Sequence, residues 1–213
     1  MKIFKDRQSA GKLLAKHLKQ YKHQANILVL GIPRGGVVVA AEIAKSLNLL
    51  PLDIIITRKI GHPSQPELAL GAVDADGQVL WEEELLNDLG LRIDDLKTEV
   101  NEEVEEIKRR EQVYKQGGEP LDLNGKTAIL VDDGIATGAT ILTAINYLKR
   151  HKVNKIILTV PVAGKDSVEK VTRGLGQFGE VIVLETPENF QAVSLFYQQF
   201  EPVKDQEVIQ LLS

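Results

Sequence analysis

The chain has 213 residues, of which 43% are apolar, and this is enough for one globular domain with a full hydrophobic core. It contains no cysteine, which excludes disulfides and thiolate chemistry and fits a reducing cytoplasm. The first residues are charged and no apolar run reaches membrane-spanning length, so we expect a cytoplasmic protein without a membrane partner.

The net charge of −4 is unevenly distributed along the chain. Residues 82–116 carry 12 acidic and 6 basic side chains, whereas the rest of the chain is slightly basic. No basic stripe with interleaved aromatic residues occurs, so we do not expect nucleic acid as a partner.

Apolar strands alternate with helical patterns from the beginning of the chain. A helix is predicted over 6–21, a buried strand over 27–30 and a second helix over 37–47. The turn 33–36 (Pro-Arg-Gly-Gly) places a cation beside exposed amides, and it is interpreted either as an anion site or as a plain turn with a solvated arginine. The alternation predicts an α/β fold with an open, mostly parallel sheet flanked by helices.

A second strand, over 52–57, leads into a segment that sequence patterns do not assign to a helix. Two prolines and a glycine in residues 58–67 forbid a helix, and the segment is long for a connection. We therefore predict a functional loop or lid there, with Arg58 and Lys59 at its root. Residues 69–81 are predicted to form a β-hairpin with its turn at Asp76-Gly77.

The acidic section is predicted to be helical. A short helix over 82–89 precedes a long one that begins near Asp94 and is ended by Gly117-Gly118. Its apolar residues form one narrow stripe: Leu96, Val100, Val104, Ile107 and Tyr114. Because the rest of this helix is charged, we expect it to dock along the core or along a partner subunit, which leaves a homodimer open.

The most informative segment begins with an apolar strand, 128–131, that delivers Asp132 and Asp133 to a loop of small residues, 134–140. A helix follows over 141–150. Strand, loop and helix N-terminus direct backbone N–H groups and the positive end of the helix dipole at one point, which suits a phosphate. Glycines within the loop allow close approach of a ligand, and threonines supply hydroxyl donors.

The adjacent carboxylates would repel a phosphate, and they suit hydroxyl groups or a divalent cation instead. A ribose phosphate satisfies both halves of the motif. The alternative is an ordinary strand end followed by capping threonines. The segment lacks the lysine of a P-loop and the glycine spacing of a dinucleotide fingerprint. A receiver domain is disfavoured because the first strand ends in Gly31 without an acid.

The remaining elements continue the alternation, with strands over 155–160 and 180–184 and a helix over 166–175. The segment 185–200 is rich in aromatic residues. It is interpreted either as a helix packed on the core or as a hood above the sheet, with Phe190 as the aromatic residue nearest to a ligand.

The string from residue 128 to residue 140 closely resembles the phosphoribosyl diphosphate (PRPP) motif of type I phosphoribosyltransferases. The whole chain is most similar to bacterial proteins described only as predicted phosphoribosyltransferases. The resemblance implies a single domain, 1–213, with a core at about 26–184, a helical and hairpin insertion at about 75–118 and a small C-terminal hood at about 185–213. Loops 31–36, 58–67, 132–140 and 161–166 are then expected at the carboxyl edge of the sheet, where such folds bind ligands.

The resemblance also implies a transfer reaction in which a nitrogenous acceptor displaces diphosphate from PRPP with the help of Mg²⁺. Catalytic roles fall to Arg34, Arg58, Lys59 and Glu67. The PRPP contacts are Arg34, Gly35, Gly36, Asp132, Asp133, Gly134, Ile135, Ala136, Thr137, Gly138, Ala139 and Thr140. Asp132 and Asp133 are expected to reach the metal through water. Phe190 is a weak candidate for contact with the acceptor.

One departure from the family pattern concerns the general base. Members that use 6-oxopurines have an aspartate at the position of Ala136, and adenine-type members have a glutamate in the following helix, whereas 141–150 contains no acid. His62, Glu67 and Glu185 are the remaining candidates. Two function classes therefore stay open: a transferase with an unidentified acceptor, and a regulator that binds PRPP or a nucleotide without chemistry.

Overall fold

A computed structural model describes residues 3–116 and 121–213. The strands in these residues are β1 (Ile27–Gly31), β2 (Leu52–Ile54), β3 (Thr57–His62), β4 (Gln65–Asp74), β5 (Val79–Trp81), β6 (Thr127–Val131), β7 (Lys155–Val162) and β8 (Gly179–Glu185). Five of them form a parallel sheet in the order β2-β1-β6-β7-β8, and β3, β4 and β5 form a separate antiparallel sheet.

The α-helices are α1 (Arg7–His17), α2 (Gly35–Leu47), α3 (Glu83–Asp88), α4 (Lys97–Lys115), α5 (Ala139–Arg150), α6 (Lys165–Leu175) and α7 (Asp205–Leu212). They cover both faces of the parallel sheet, as the continuous apolar strands predict. In β6, Ile129 contributes to the core that includes α1 and α2, whereas Leu130 contributes to the core that includes α5 and α6. None of these helices is both long and apolar enough to span a bilayer.

The segment after β2 differs from the prediction. The predicted strand 52–57 ends at Ile54, and the predicted loop 58–67 is an antiparallel hairpin made of β3 and the start of β4. Its glycine lies at a bulge, since the register shifts on both sides of Gly61. Its prolines lie at or beside the turn between the strands. The hairpin predicted over 69–81 is present as β4 and β5.

The acidic helix begins slightly later than predicted, at Lys97, after a single 3₁₀ turn. Its stripe packs inward as expected, with Leu96, Ile107 and Tyr114 buried. The helix ends at Lys115, and the glycines predicted to end it lie outside the described residues. Because Ile107 and Tyr114 belong to the same core as α2, the insertion helix packs into the hydrophobic core on that face of the parallel sheet.

The aromatic segment after β8 is not a helix. It contains one 3₁₀ turn, Val193–Phe196, and crosses the chain start, where Phe4 pairs with Tyr197. The Phe4 N–H donates to the Phe196 carbonyl at 2.8 Å, and the Gln198 N–H donates to the Phe4 carbonyl at 2.8 Å. We call residues 193–201 the C-terminal strap. It is held by residues at the opposite end of the sequence, which local patterns do not reveal.

Candidate functional site

The turn 33–36 and the loop 132–140 meet at the carboxyl edge of the parallel sheet. Strands β1 and β6 are neighbours with Gly31 opposite Val131, so the segments that follow them emerge side by side. A Cβ at Gly36 would lie 2.7 Å from the carbonyl oxygen of Val131, so only glycine fits there without a shift of backbone. Loop 161–166 reaches the same edge, where Ala163 pairs with Ile135.

A cavity of about 210 Å³ lies over the small-residue loop. It is lined by Lys59, Asp132, Gly134, Ile135, Ala136, Thr137, Gly138, Thr140, Ile141 and Val193. Gly138 has a left-handed conformation (φ +80°) and immediately precedes α5, which therefore points its N-terminus, beginning with Ala139, at the loop. Exposed side chains at Ala136 and Thr137 leave this end open to a ligand.

One residue predicted to contact PRPP, Ile135, is engaged within the protein through its backbone. The Ile135 N–H already donates to the Val162 carbonyl at 2.9 Å, and the Ile135 side chain is buried. Its amide is therefore occupied and holds the loop against β7. The Ala136 carbonyl is similarly engaged, because it accepts a hydrogen bond from the Ser167 hydroxyl. The amides available to an anion are those beyond Ile135.

The two aspartates differ in their surroundings. Asp132 faces the cavity, and its Oδ1 accepts the Asp133 N–H at 2.8 Å. Asp133 instead forms an ion pair with Arg7, with 2.7 Å between Nε and Oδ2. Burial and the neighbouring carboxylate raise the pKa of Asp132 well above its usual value. Burial also raises the pKa of Asp133, although the Arg7 guanidinium opposes this shift.

Arg34 stands at the N-cap position of α2, after a cis peptide bond from Pro33. Its side chain is 44% exposed, and its Nη1 lies 3.6 Å from Oδ1 of Asp205 at the start of α7. The Arg34 guanidinium therefore lies beside α7, at the turn 33–36 whose glycines contact Asp132 and Asp133. Contact of Arg34 with a diphosphate stays a prediction.

Strand geometry separates the two cations predicted at the lid. Arg58 and Lys59 are consecutive in β3, so their side chains point to opposite faces. Lys59 lines the cavity, whereas Arg58 turns to α4 and pairs with Glu103, with 2.6 Å between Nε and Oε2. Glu67 lies on the exposed part of β4 and does not line the cavity. The catalytic roles expected for Arg58 and Glu67 are therefore not supported by their positions.

Phe190, predicted as the aromatic residue nearest to a ligand, packs against other residues of the protein. Its ring stacks on Phe196 with 5.7 Å between centroids, and it lies against Gly164 in the loop after β7. The strap residue that lines the cavity is Val193, which packs on Gly134. Val193 has no local sequence signal, because it is one of many isolated apolar residues in an irregular segment.

Two further residues at the site were missed by sequence reasoning. Arg7 reaches Asp133 from α1, and the Tyr197 hydroxyl donates to the Asp133 carbonyl at 2.6 Å from the strap. Both contacts join positions far apart in sequence. Burial raises the pKa of Tyr197, so the hydroxyl stays protonated and remains a donor. The backbone and side chain of Asp133 are therefore both fixed by the chain termini.

A family model described as "Phosphoribosyl transferase domain" matches residues 3–194. The chain belongs to this phosphoribosyl transferase family. Two Mycobacterium tuberculosis proteins, from strains CDC 1551 and H37Rv, are 41% identical to it over 212 residues and are provisionally named phosphoribosyl transferases. Those matches cover 100% of this chain but 47% of each relative, so the chain spans about half the length of these curated relatives.

A similar solved structure shares this fold along the whole chain. The protein TT1426 from Thermus thermophilus is 35% identical, and its crystal structure superposes with a TM-score of 0.79. The match covers 100% of this chain and 98% of that protein. The predicted α/β architecture with an open parallel sheet and flanking helices is thus confirmed.

Proposed function

We propose that this domain binds PRPP and transfers its phosphoribosyl group to a small nitrogenous acceptor, releasing diphosphate. The observation that carries the proposal is the contact between the Arg34 turn and the acid pair at one edge of the sheet, beside the cavity that the loop 134–140 and Lys59 line. A cation for diphosphate, a carboxylate for hydroxyl groups and a helix N-terminus for phosphate are thereby brought to one edge of the sheet.

Each part of PRPP has a complementary group at this edge. The amides from Ala136 to Thr140, with the hydroxyls of Thr137 and Thr140, bind the 5′-phosphate. Asp132 accepts hydrogen bonds from ribose hydroxyls, with Asp133 beside it. Arg34 and the backbone at Gly35 and Gly36 bind the diphosphate. Lys59, which reaches the cavity from β3, adds a second positive charge.

In the reaction, the acceptor nitrogen forms a bond to the anomeric carbon with its lone pair. The bond from that carbon to the diphosphate oxygen breaks, and its electron pair leaves with the diphosphate. Arg34 and Lys59 stabilise the negative charge that develops on the leaving group, and fixed cations are most effective when they are preorganised. Their contribution is therefore larger in the transition state than in the bound ground state.

The donor set fits Mg²⁺ that arrives with the diphosphate. Asp132 offers carboxylate oxygen to the cavity, and protein-bound Mg²⁺ commonly keeps several waters and uses only one or two carboxylates. Within 3–116 and 121–213, no three His, Cys, Asp or Glu side chains cluster as a metal site. Substrate oxygens and waters would supply the other ligands of the ion. When bound, the ion neutralises charge on the diphosphate.

The acceptor must lose a proton without a dedicated carboxylate base. Ala136 occupies the position of the purine-type aspartate, and the ionisable side chains that line the cavity are Lys59 and Asp132. A nitrogen that is already nucleophilic, and that releases its proton to water or to diphosphate, suits such a site. The same absence favours the second candidate function, a regulator that binds PRPP without transfer.

Calorimetry with PRPP tests the binding part of the proposal. We expect sub-millimolar affinity with Mg²⁺ and much weaker binding after its removal with EDTA. Asp132→Asn should weaken binding at least about tenfold, because it removes a charged hydrogen-bond acceptor for ribose. Replacing both Asp132 and Asp133 by Asn should abolish it. Unchanged affinity in the double variant would contradict the ribose assignment.

Diphosphate release distinguishes transfer from regulation. The wild-type domain is mixed with PRPP, Mg²⁺ and a series of amines and nitrogen heterocycles, and inorganic diphosphate is measured over time. An acceptor that raises release above the background identifies a transferase. Tight PRPP binding without any acceptor-dependent release identifies the regulator.

A further inference from the structure

Arg7 is held rigidly in the first turn of α1. Asp6 caps this helix: its Oδ1 accepts the Ser9 N–H at 2.7 Å, and the Ser9 hydroxyl in return accepts the Asp6 N–H at 3.1 Å. This reciprocal capping fixes the direction in which the helix starts. The backbone of Arg7 therefore has a defined position before its side chain makes any contact.

The guanidinium of Arg7 is fixed by three partners. Its Nε donates to Oδ2 of Asp133 at 2.7 Å, and its Nη1 donates to the Glu201 carbonyl at 2.9 Å. Its central carbon lies 3.8 Å from the centre of the Phe200 ring. With the side chain only 11% exposed, the planar cation is clamped between a strap aromatic residue and the acid.

The same guanidinium also touches the turn assigned to diphosphate. A Cβ at Gly35 would lie 2.8 Å from Nε of Arg7 and 2.7 Å from Cγ of Asp133. The ion pair therefore rests directly on the backbone of the turn 33–36. Arg7 is thus in contact range of both ligand-binding segments, although it lies more than a hundred positions from Asp133 in sequence.

We propose that Arg7 is a positioning residue for ribose recognition, an inference that rests on the proposed function. It binds Oδ2 of Asp133 and fixes that residue, whose N–H donates to Oδ1 of Asp132, so that the Asp132 carboxylate is held facing the cavity for a ribose hydroxyl. Its charge also offsets the repulsion between two adjacent carboxylates, which would otherwise turn away from each other. Without Arg7, Asp133 is no longer fixed beside Asp132 and hydroxyl recognition is weakened, while phosphate binding through the loop 134–140 remains.

A purely structural tie between the chain ends and the sheet is the competing explanation. It predicts that loss of Arg7 weakens all ligands alike, or none. The positioning role predicts a selective loss for ligands that carry ribose hydroxyls. Two probes separate these cases: ribose 5-phosphate, and 2,3-dideoxyribose 5-phosphate, which keeps the phosphate but lacks both ring hydroxyls.

Binding of both probes is measured by calorimetry for the wild type, Arg7→Gln and Arg7→Lys. The wild type should prefer the ribose by at least about tenfold, because charged acceptors make strong hydrogen bonds to hydroxyls. Arg7→Gln should reduce this preference to below about threefold, with unchanged affinity for the dideoxy probe. Arg7→Lys keeps the charge but lacks the planar fork, so an intermediate preference is expected.

Arg109→Gln is the matched control, since Arg109 pairs with Glu106 on the exposed face of α4 and lies away from the cavity. It should retain the full preference for ribose. If Arg7→Gln and Arg7→Lys keep the wild-type preference, or weaken both probes equally, the positioning role is wrong. A wild type that does not distinguish the two probes overturns the ribose site itself, and the role of Arg7 with it.

Discussion

The hydroxyl of Tyr114 donates a 2.7 Å hydrogen bond to Oδ1 of Asp205, the same oxygen that lies 3.6 Å from Nη1 of Arg34. Tyr114 comes from the insertion helix α4, Asp205 from the C-terminal helix α7, and Arg34 from the turn assigned to diphosphate. Three elements that are remote in sequence are therefore joined through one carboxylate. The side chain that is fully buried among them is Tyr114.

Tyr114→Phe should lower the free energy of unfolding by about 1 kcal/mol, because it removes one hydrogen bond to a carboxylate that water still reaches. Urea denaturation monitored by circular dichroism measures the change. The control is Tyr21→Phe, which removes the 2.7 Å hydrogen bond from Tyr21 to the exposed Glu180 and should cost clearly less. Equal costs would show that burial of Tyr114 adds nothing to this interaction.

The stability difference between wild type and Tyr114→Phe should also depend on pH. Burial, followed by the hydrogen bond to Asp205, raises the pKa of Tyr114 from 10.0 to about 12. Between these values the unfolded chain loses the phenolic proton and the folded chain keeps it, so the wild type loses stability as pH rises. Phenylalanine cannot ionise. The wild-type advantage should therefore shrink between about pH 10 and pH 12, and a constant advantage would contradict the raised pKa.

Substitutions at Lys59 and Arg58 should have opposite effects on PRPP affinity and on stability. Lys59→Met removes the cation at the cavity and should weaken PRPP binding roughly tenfold, because charge-assisted contacts contribute about 1.5–3 kcal/mol. Unfolding should change little, since Lys59 is exposed. Arg58→Met should show the reverse: PRPP affinity close to that of the wild type, with about 1 kcal/mol less stability from the lost pair with Glu103. Calorimetry and urea denaturation on both variants decide the assignment.

Gly35→Ala should damage the site beyond its effect on stability. The added methyl group would collide with the Asp133 carboxylate and the Arg7 guanidinium, so one of these groups must move. We expect at least roughly tenfold weaker PRPP binding, the loss of about one charge-assisted contact. The control is Gly90→Ala, which meets no atom within 4 Å but is strained by a φ of +65°. It should cost about 1 kcal/mol of stability and leave PRPP affinity unchanged.

Arg34→Ala distinguishes the two function classes. In a transferase, Arg34 acts most strongly as the diphosphate leaves, so its loss should cost on the order of 3 kcal/mol, about a hundredfold in rate. Binding of a nucleoside 5′-monophosphate through the loop 134–140 should stay nearly normal. The assay is acceptor-dependent diphosphate release. An acceptor that accelerates the wild type and Arg34→Ala equally would refute this mechanism.

The sheet and the two segments at its carboxyl edge, 33–36 and 132–140, could be predicted because their signals are local. The apolar runs 27–30 and 128–131 are each followed by small or polar residues, and the predicted strands match β1 and β6 to within one residue. The hairpin 58–67 could not be predicted in this way. Its glycine and prolines are ordinary loop signals, and only pairing of β3 with β4 converts them into a bulge and a turn.

The same error hid the different roles of Arg58 and Lys59. Because the segment 58–67 was interpreted as a loop, both cations were assigned to the site. In a strand, successive side chains point to opposite faces, so Arg58 and Lys59 are separated. Arg7 and Tyr197 had no signal at all. Their significance depends on Asp133, which is 126 positions from Arg7 and 64 from Tyr197, and one sequence does not contain that proximity.

The contact between Arg7 and Glu201 spans 194 positions, nearly the whole chain. Joining such distant segments costs more loop-closure entropy than pairing neighbouring strands, and contacts of this length tend to slow folding. During synthesis, Phe200 and Glu201 leave the ribosome after every strand of both sheets. The turn 33–36 and the loop 134–140 are therefore synthesised before the strap. The guanidinium that pairs with Asp133 gains its contacts with Phe200 and Glu201 only after the strap has been made.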